Sequence, residues 1–151
     1  MDTRLIFRID QREERANNIT NITCDLMFGL PNQDISDIKK DLDLLTALKI
    51  PHISTYALLI EPNTYFDVKK IKALDEDIQA EQYSYIYDYL TSKNYNRYEV
   101  SNYSLEGYES KHNLIYWHGK EYKALGSGAS GYENRLRYDI SKSISSYLKG
   151  N

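Results

Sequence analysis

Asp25 stands near the carboxyl end of a β-prone run, just ahead of Gly29-Leu30-Pro31-Asn32. In parallel α/β folds ligands bind at that end of the strands. A carboxylate there can accept hydrogen bonds from ribose hydroxyls or pair with an ammonium group. Two roles are open to it: such a ligand contact, or an ordinary helix-capping or solvated aspartate. Ala57 lies toward the end of the next apolar run, where a small side chain lets a ligand approach the backbone. Gly126-Ser127-Gly128-Ala129-Ser130-Gly131 has the look of a phosphate cradle. It lacks the Lys-Ser/Thr of a P-loop and reads instead as a tight backbone turn. His52, His112 and His118 do not have the spacing of a metal site. No residue is assigned a catalytic role and none a metal-ligating one.

These residues need elements to hold them. Ile19 to Phe28 reads as a strand, with β-branched residues first and Leu26, Met27 and Phe28 after them. Asp34 is a natural N-cap for a helix over 35–49, with Asp37 in its first turn. Ile35, Ile38, Leu42, Leu45 and Leu48 recur there at helical spacing. Pro51 ends that unit. His52 to Ile60 reads as a strand buried on both faces. Strand, helix and strand with short connections indicate a parallel sheet. Asp75 caps a long helix to about Lys93, with Ile78, Tyr83, Ile86, Tyr87 and Leu90 inward. A third strand is expected over 96–101. Beyond Asn102 the chain is turn-rich, with a hairpin over 132–138 around Glu133-Asn134 and a short last helix capped by Ser141. So few elements cannot close a parallel barrel, which leaves an open edge beside the first strand.

The chain has 151 residues, enough for one domain with a core. Hydrophobic residues make up 41% and charged residues 27%, a globular and not a disordered balance. The net charge of −3 argues against a general nucleic-acid or anionic-membrane surface. No run reaches the roughly 18 apolar residues of a membrane span. Met1 to Arg15 is too charged for a signal peptide. Cys24 is the single cysteine, so no internal disulfide can form and a cytoplasmic location is expected. Tyrosine occurs 15 times against 3 Phe and 1 Trp, which we read as compositional bias, since Asn, Lys and Ile are abundant too.

Asp25-Leu26-Met27-Phe28-Gly29-Leu30-Pro31 with Gln33 resembles a segment of radical S-adenosylmethionine proteins related to oxygen-independent coproporphyrinogen III oxidase. His52-Ile53-Ser54-Thr55-Tyr56 with Glu61-Pro62-Asn63-Thr64 is similar to the next strand and loop of that family. Tyr98-Glu99-Val100-Ser101-Asn102-Tyr103 and His112-Asn113-Leu114-Ile115-Tyr116-Trp117 resemble its HemW-type haem-chaperone branch. The blocks fall in family order from about Ile19 onward. The resemblance implies an α/β fold: a partial parallel (β/α) barrel over 19–101, then a turn-rich C-terminal extension over 102–151. Residues 1–18 match nothing in the family. The resemblance further implies that Asp25 and Ala57 contact S-adenosylmethionine. It places His112 on the histidine of the haem-handling block, where a neutral imidazole can ligate haem iron; the other role open to His112 is a hydrogen bond that pins a turn.

The departures bear on activity. The family's Cys-x-x-x-Cys-x-x-Cys motif is absent, and three thiolates are needed to hold a 4Fe–4S cluster with one iron open. Cys24 belongs to a strand and reads as a buried small residue. The glycine-rich cofactor contact of the family's first half is missing, and Ser130 stands where many members have His. The expected reading is therefore a fragment of a HemW-type protein, acting in porphyrin or haem metabolism and without catalysis of its own. A separate polypeptide carrying the N-terminal half is a partner this reading leaves open. The alternatives are a cluster-free haem- or tetrapyrrole-binding module and a truncated remnant. A methyltransferase is disfavoured, because no glycine-rich loop follows a first strand.

Overall fold

The computed structural model describes residues 19–150. The unmatched segment 1–18 lies outside them. The chain forms two compact units, Met1–Glu109 and Ser110–Asn151.

In the first unit the strands β1 (Thr23–Phe28) and β2 (His52–Ala57) pair in parallel, Asp25 beside Ser54 and Phe28 beside Ala57. Between them runs helix α1 (Ile35–Ala47). Its start is set by a capping box: Asp37 N–H donates to Asp34 Oδ1 at 3.0 Å, and the Asp37 carboxylate answers the Asp34 amide. Its apolar stripe is Ile38, Leu42 and Leu45, all buried. After a short turn of helix, α2 (Tyr65–Val68), the long helix α3 (Glu76–Ser92) begins at its cap Asp75.

Both long helices stop in the same way. Lys49 and Asn94 take left-handed conformations (φ 52° and 66°) just past the ends. Ile50 N–H and Tyr95 N–H then donate back to Leu45 and Leu90 carbonyls. The residue following each left-handed turn is buried, and Tyr95 Oη donates to Ile50 O at 2.6 Å, which ties the two ends together.

The sequence-based elements differ from this in definable ways. β1 starts at Thr23 and not at Ile19, and β2 ends at Ala57 and not at Ile60. In α3 the inward residues are Gln82, Ile86 and Leu90, whereas Ile78 and Tyr87 are exposed. The expected third strand is a tight hairpin of β3 (Asn96–Arg97) and β4 (Asn102–Ser104). The sheet order is β1-β2-β4-β3, with β4 antiparallel to both neighbours. Burial explains why the returning leg takes the inner place. All three β4 residues are buried, with Tyr103 in the core, while both β3 residues are exposed. The parallel pairing expected of the third strand is thus replaced by a mixed sheet. β1 remains an edge strand among the described residues.

Cys24, Leu26 and Phe28 join the buried residues of α1 and α3 in one core. Alternation along β1 therefore gives one sheet face to the helices. The other face carries Thr23, Asp25 and Met27.

The second unit opens with helix α4 (Lys111–Trp117), capped by Ser110, where a turn-rich stretch was expected. A hairpin follows, β5 (Ser130–Glu133) and β6 (Leu136–Asp139). Its turn is Asn134-Arg135, both left-handed, one residue later than Glu133-Asn134. The last helix, α5 (Ile144–Leu148), is capped by Ser143 and not by Ser141.

Candidate functional site

The loop after β1 is built by two glutamines. Gly29 needs its left-handed backbone (φ 75°) to leave the strand. Its N–H donates to Gln82 Oε1 at 2.9 Å, and Gln82 Nε2 donates to Gln33 O at 3.0 Å. Gln33 in turn receives the Leu30 amide and donates to Met27 O. The Gly-Leu-Pro-Asn-Gln turn is therefore fastened at both ends, and α3 supplies the inner fastener. Gln82 is 1% exposed with both ends of its amide engaged. Sequence reading passed it over because a polar residue on a helix is ordinarily assigned to the solvent face. Its i, i+4 spacing to Ile86 was the available signal.

That turn fixes the carboxyl end of β1; because the strand starts only at Thr23, Asp25 is its third residue of six and not near that end as expected, exposed on the face opposite the helix layer. Asp25, Ser54 and Asn102 form one row across β1, β2 and β4. Thr23, His52, Ser104 and Asn96 form a parallel row beside it. Ala57 is exposed at the last position of β2, in register with Phe28. By strand alternation its Cβ belongs to the face away from Asp25, so only its backbone can share a ligand with Asp25.

His52 is buried between two hydroxyls. Its Nδ1 lies 2.7 Å from Thr23 Oγ1 and its Nε2 2.7 Å from Tyr98 Oη. Burial lowers its pKa, against the opposing pull of Asp25, Glu99 and Glu109. A depressed folded-state value gives stability that is full above the unfolded value of about 6.5 and is lost as pH falls through the folded value. Unfolding free energy should thus be flat above that pH and decline below it. A His52→Gln variant measured by urea unfolding over the same range should lose that slope, whatever its absolute stability. An unchanged slope would show that other groups set it.

In the second unit His112 is exposed on the first turn of α4. Its ring meets Tyr116 edge-on at 4.9 Å, and Nε2 lies 3.0 Å from Tyr116 Oη. Tyr116 continues to Tyr122 at 4.5 Å and Tyr122 to Tyr132 at 6.4 Å. Tyr116 and Trp117 are exposed. In the glycine-rich stretch, Gly128 N–H and Ser127 Oγ both donate to Ser141 O. These donors serve a turn and are not offered to an anion.

Cys24 is 2% exposed in the core of the first unit. Among the described residues no three His, Cys, Asp or Glu side chains gather as a metal site. No helix among them is long and apolar enough to cross a membrane.

A solved structure titled as coproporphyrinogen III oxidase (HemN) from Escherichia coli, a radical SAM enzyme, superposes with a TM-score of 0.70. The match covers 91% of this chain and 35% of that one at 15% identity, so the α/β fold is that of part of a radical SAM enzyme. No family model matches the sequence. Individual relatives are more specific. The heme chaperone HemW of Lactococcus lactis subsp. lactis is 43% identical over 133 residues, 85% of this chain and 35% of the relative. Those of Bacillus subtilis and Haemophilus influenzae are each 36% identical, over 79% and 90% of this chain. The chain is related to the C-terminal part of HemW-type haem chaperones, as its motifs implied. It spans about a third of the length of these relatives.

Proposed function

We propose that the first unit is a segment of a radical SAM barrel wall that keeps an S-adenosylmethionine-contacting strand and has no means of holding the iron–sulfur cluster. The observation that carries this reading is the exposed carboxylate of Asp25, the third of the six residues of β1, on the face away from the helices. The long helices α1 and α3 of this unit pack on the same sheet face, which supports a barrel wall over a doubly wound sheet, where successive helices fall on both faces. Asp25 would receive ribose hydroxyls or the ammonium group of S-adenosylmethionine, and the Ala57 backbone would lie along the same ligand. The 4Fe–4S cluster does not fit the residues present. Its ligands are thiolates, and this sequence has Cys24 alone, buried in the core. Reductive cleavage of S-adenosylmethionine is therefore assigned to no residue of this chain.

Anaerobic reconstitution with iron and sulfide should give no stoichiometric cluster absorbance. S-adenosylhomocysteine titrated by calorimetry should bind, and an Asp25→Asn variant should bind at least about tenfold more weakly, the loss of a charge-assisted hydrogen bond. A stoichiometric cluster, or equal binding by the variant, would refute the reading.

A second reading, a tetrapyrrole-binding surface on the second unit, is favoured by the exposed Tyr116 and Trp117 beside His112. The bond from Nε2 to Tyr116 competes with iron. On this reading a Tyr116→Phe variant should take up haem more tightly than the parent, and His112→Ala should lose the ligated Soret band. Identical spectra from His112→Ala and the parent would remove His112 as a ligand.

A further inference from the structure

The row that begins at Asp25 ends at a group whose hydrogen bonding is incomplete. Asn102 is 5% exposed and its Oδ1 is buried without a hydrogen-bond partner. Two residues along β4, on the same face, the Ser104 hydroxyl is fully buried and likewise has no partner. An unsatisfied buried polar atom costs about 1–3 kcal/mol, so two on one strand face call for a reason. On the opposite face of the same strand the Tyr103 hydroxyl is buried without a partner too, but it ends in the apolar core, whereas Asn102 and Ser104 lie on the face that carries Asp25.

The register defines what these atoms face. Ser54 pairs with Asp25 on one side and with Asn102 on the other, so the three side chains emerge from one sheet face in a line. Asp25 and Asn102 are two strand spacings apart, about 10 Å between backbones. The residue between them, Ser54, is small and itself buried. Exposure falls along the row, from exposed Asp25 to nearly closed Ser54 and Asn102. The row thus carries an acceptor at each end, an exposed carboxylate at one and a buried, unpaired amide oxygen at the other. The neighbouring row bounds it with the His52–Tyr98 and His52–Thr23 contacts, whose polar atoms are occupied with one another.

We propose that Asn102 is a second ligand-anchoring residue of this site, its side-chain amide oxygen accepting a hydrogen bond from an N–H or O–H group at the far end of a nucleoside-sized ligand whose near end meets Asp25. Ser104 flanks that contact and extends it. The inference rests on the reading of Asp25 as a contact for S-adenosylmethionine, and it adds the end of the ligand that Asp25 does not reach. In the sequence Asn102 stands out only as part of a family block; its unpaired oxygen follows from the insertion of β4 beside β2.

A ligand role and a purely structural role differ in what an apolar replacement does. If Asn102 served packing alone, Asn102→Leu would change stability and leave affinity untouched. In the proposed role the Leu side chain removes an unsatisfied buried oxygen, so the thermal midpoint should be no lower than that of the parent. Affinity for S-adenosylhomocysteine, read by calorimetry, should fall about tenfold. Should the leucine variant fail to fold, Asn102→Ala is measured in the same way. In the parent protein the Asn102 side-chain amide resonances should also shift on addition of the ligand. The Asp25→Asn variant separates the two ideas. Binding lost with Asp25→Asn but equal to the parent in both Asn102 variants, with unmoved Asn102 resonances, would overturn the role of Asn102 and keep that of Asp25. Binding lost in the Asn102 variants and kept by Asp25→Asn would do the reverse. A parent protein that binds no S-adenosylhomocysteine would overturn both.

Discussion

Replacing Gln82 with leucine should cost the first unit about 2–4 kcal/mol, the largest loss expected from any single polar side chain in it. The volume is nearly conserved, so the cost is not one of packing. It comes from two backbone groups left without partners: Gly29 N–H, which donates to Gln82 Oε1 within the buried interior, and Gln33 O, which receives Gln82 Nε2. The measurement is urea unfolding followed by circular dichroism, together with hydrogen exchange at the Gly29 amide, whose protection should fall most. A Gln82→Glu variant tests the same geometry from the other side. Its carboxylate can accept from Gly29 but cannot donate to Gln33, and burial raises its pKa in the folded state. That variant should therefore be least stable at neutral pH and regain stability as the pH falls and the carboxyl protonates. A cost below about 0.5 kcal/mol for Gln82→Leu, the range of an ordinary surface substitution, would mean that the turn does not depend on α3.

The consequence for the site is direct. Asp25 lies on the strand that this turn terminates, and the turn has no core of its own. What holds it is hydrogen bonding by Gln33 from within and by Gln82 from α3. If Asp25 has the proposed role, loss of the fastener should weaken ligand binding there even though Gln82 lies on the helix-packed side of the sheet.

This division between near and far also explains what could be read from the chain alone. Asp34 with Asp37, the 38/42/45 stripe and the β-branched runs are local signals, and the elements they predict are present within a few residues. That Asp25 belongs to the first strand was legible for the same reason; its place along that strand was not, because the strand starts four residues later than the β-branched run suggests. The order of the sheet was not. β3 and β4 span two and three residues, too short for any periodicity, and the antiparallel insertion of β4 follows from which residues the core accepts. Gln82 and Asn102 were missed because their roles lie in partners distant along the chain: Gly29 for the one, the row through Ser54 to Asp25 for the other. Ile78 and Tyr87 erred in the opposite direction, since apolar character placed them inward on a helix whose buried stripe includes a glutamine.

Gly131→Ala should be the most damaging single-methyl change in the second unit, about 2–3 kcal/mol against the hairpin. Backbone strain is not the cause, because Gly131 is not among the left-handed glycines. The cause is its cross-strand partner. Tyr138 stands opposite Gly131 and lays its ring over it, so an added Cβ would fall 2.4 Å from Tyr138 Cζ. A long side chain ordinarily moves aside at little cost, but this one is held. Tyr138 Oη donates to Glu133 at 2.7 Å and accepts from Ala124 N–H at 3.2 Å. Moving the ring leaves the Ala124 amide, in a nearly buried residue, without its acceptor. The glycine that ends the Gly-Ser-Gly-Ala-Ser-Gly stretch is therefore a strand residue whose absent side chain is supplied by a tyrosine, which is why a phosphate-cradling role does not suit it. A double-mutant cycle isolates the effect. With Tyr138→Ala already in place, Gly131→Ala should cost nothing and gain a few tenths of a kcal/mol from the stiffer unfolded chain. Hydrogen exchange at the Tyr122 and Tyr132 amides, which bond each other and join Tyr122 to β5 of the hairpin, reads the local free energy in all four proteins. Equal costs for Gly131→Ala with and without Tyr138 would place the penalty in the backbone and remove the ring as its source.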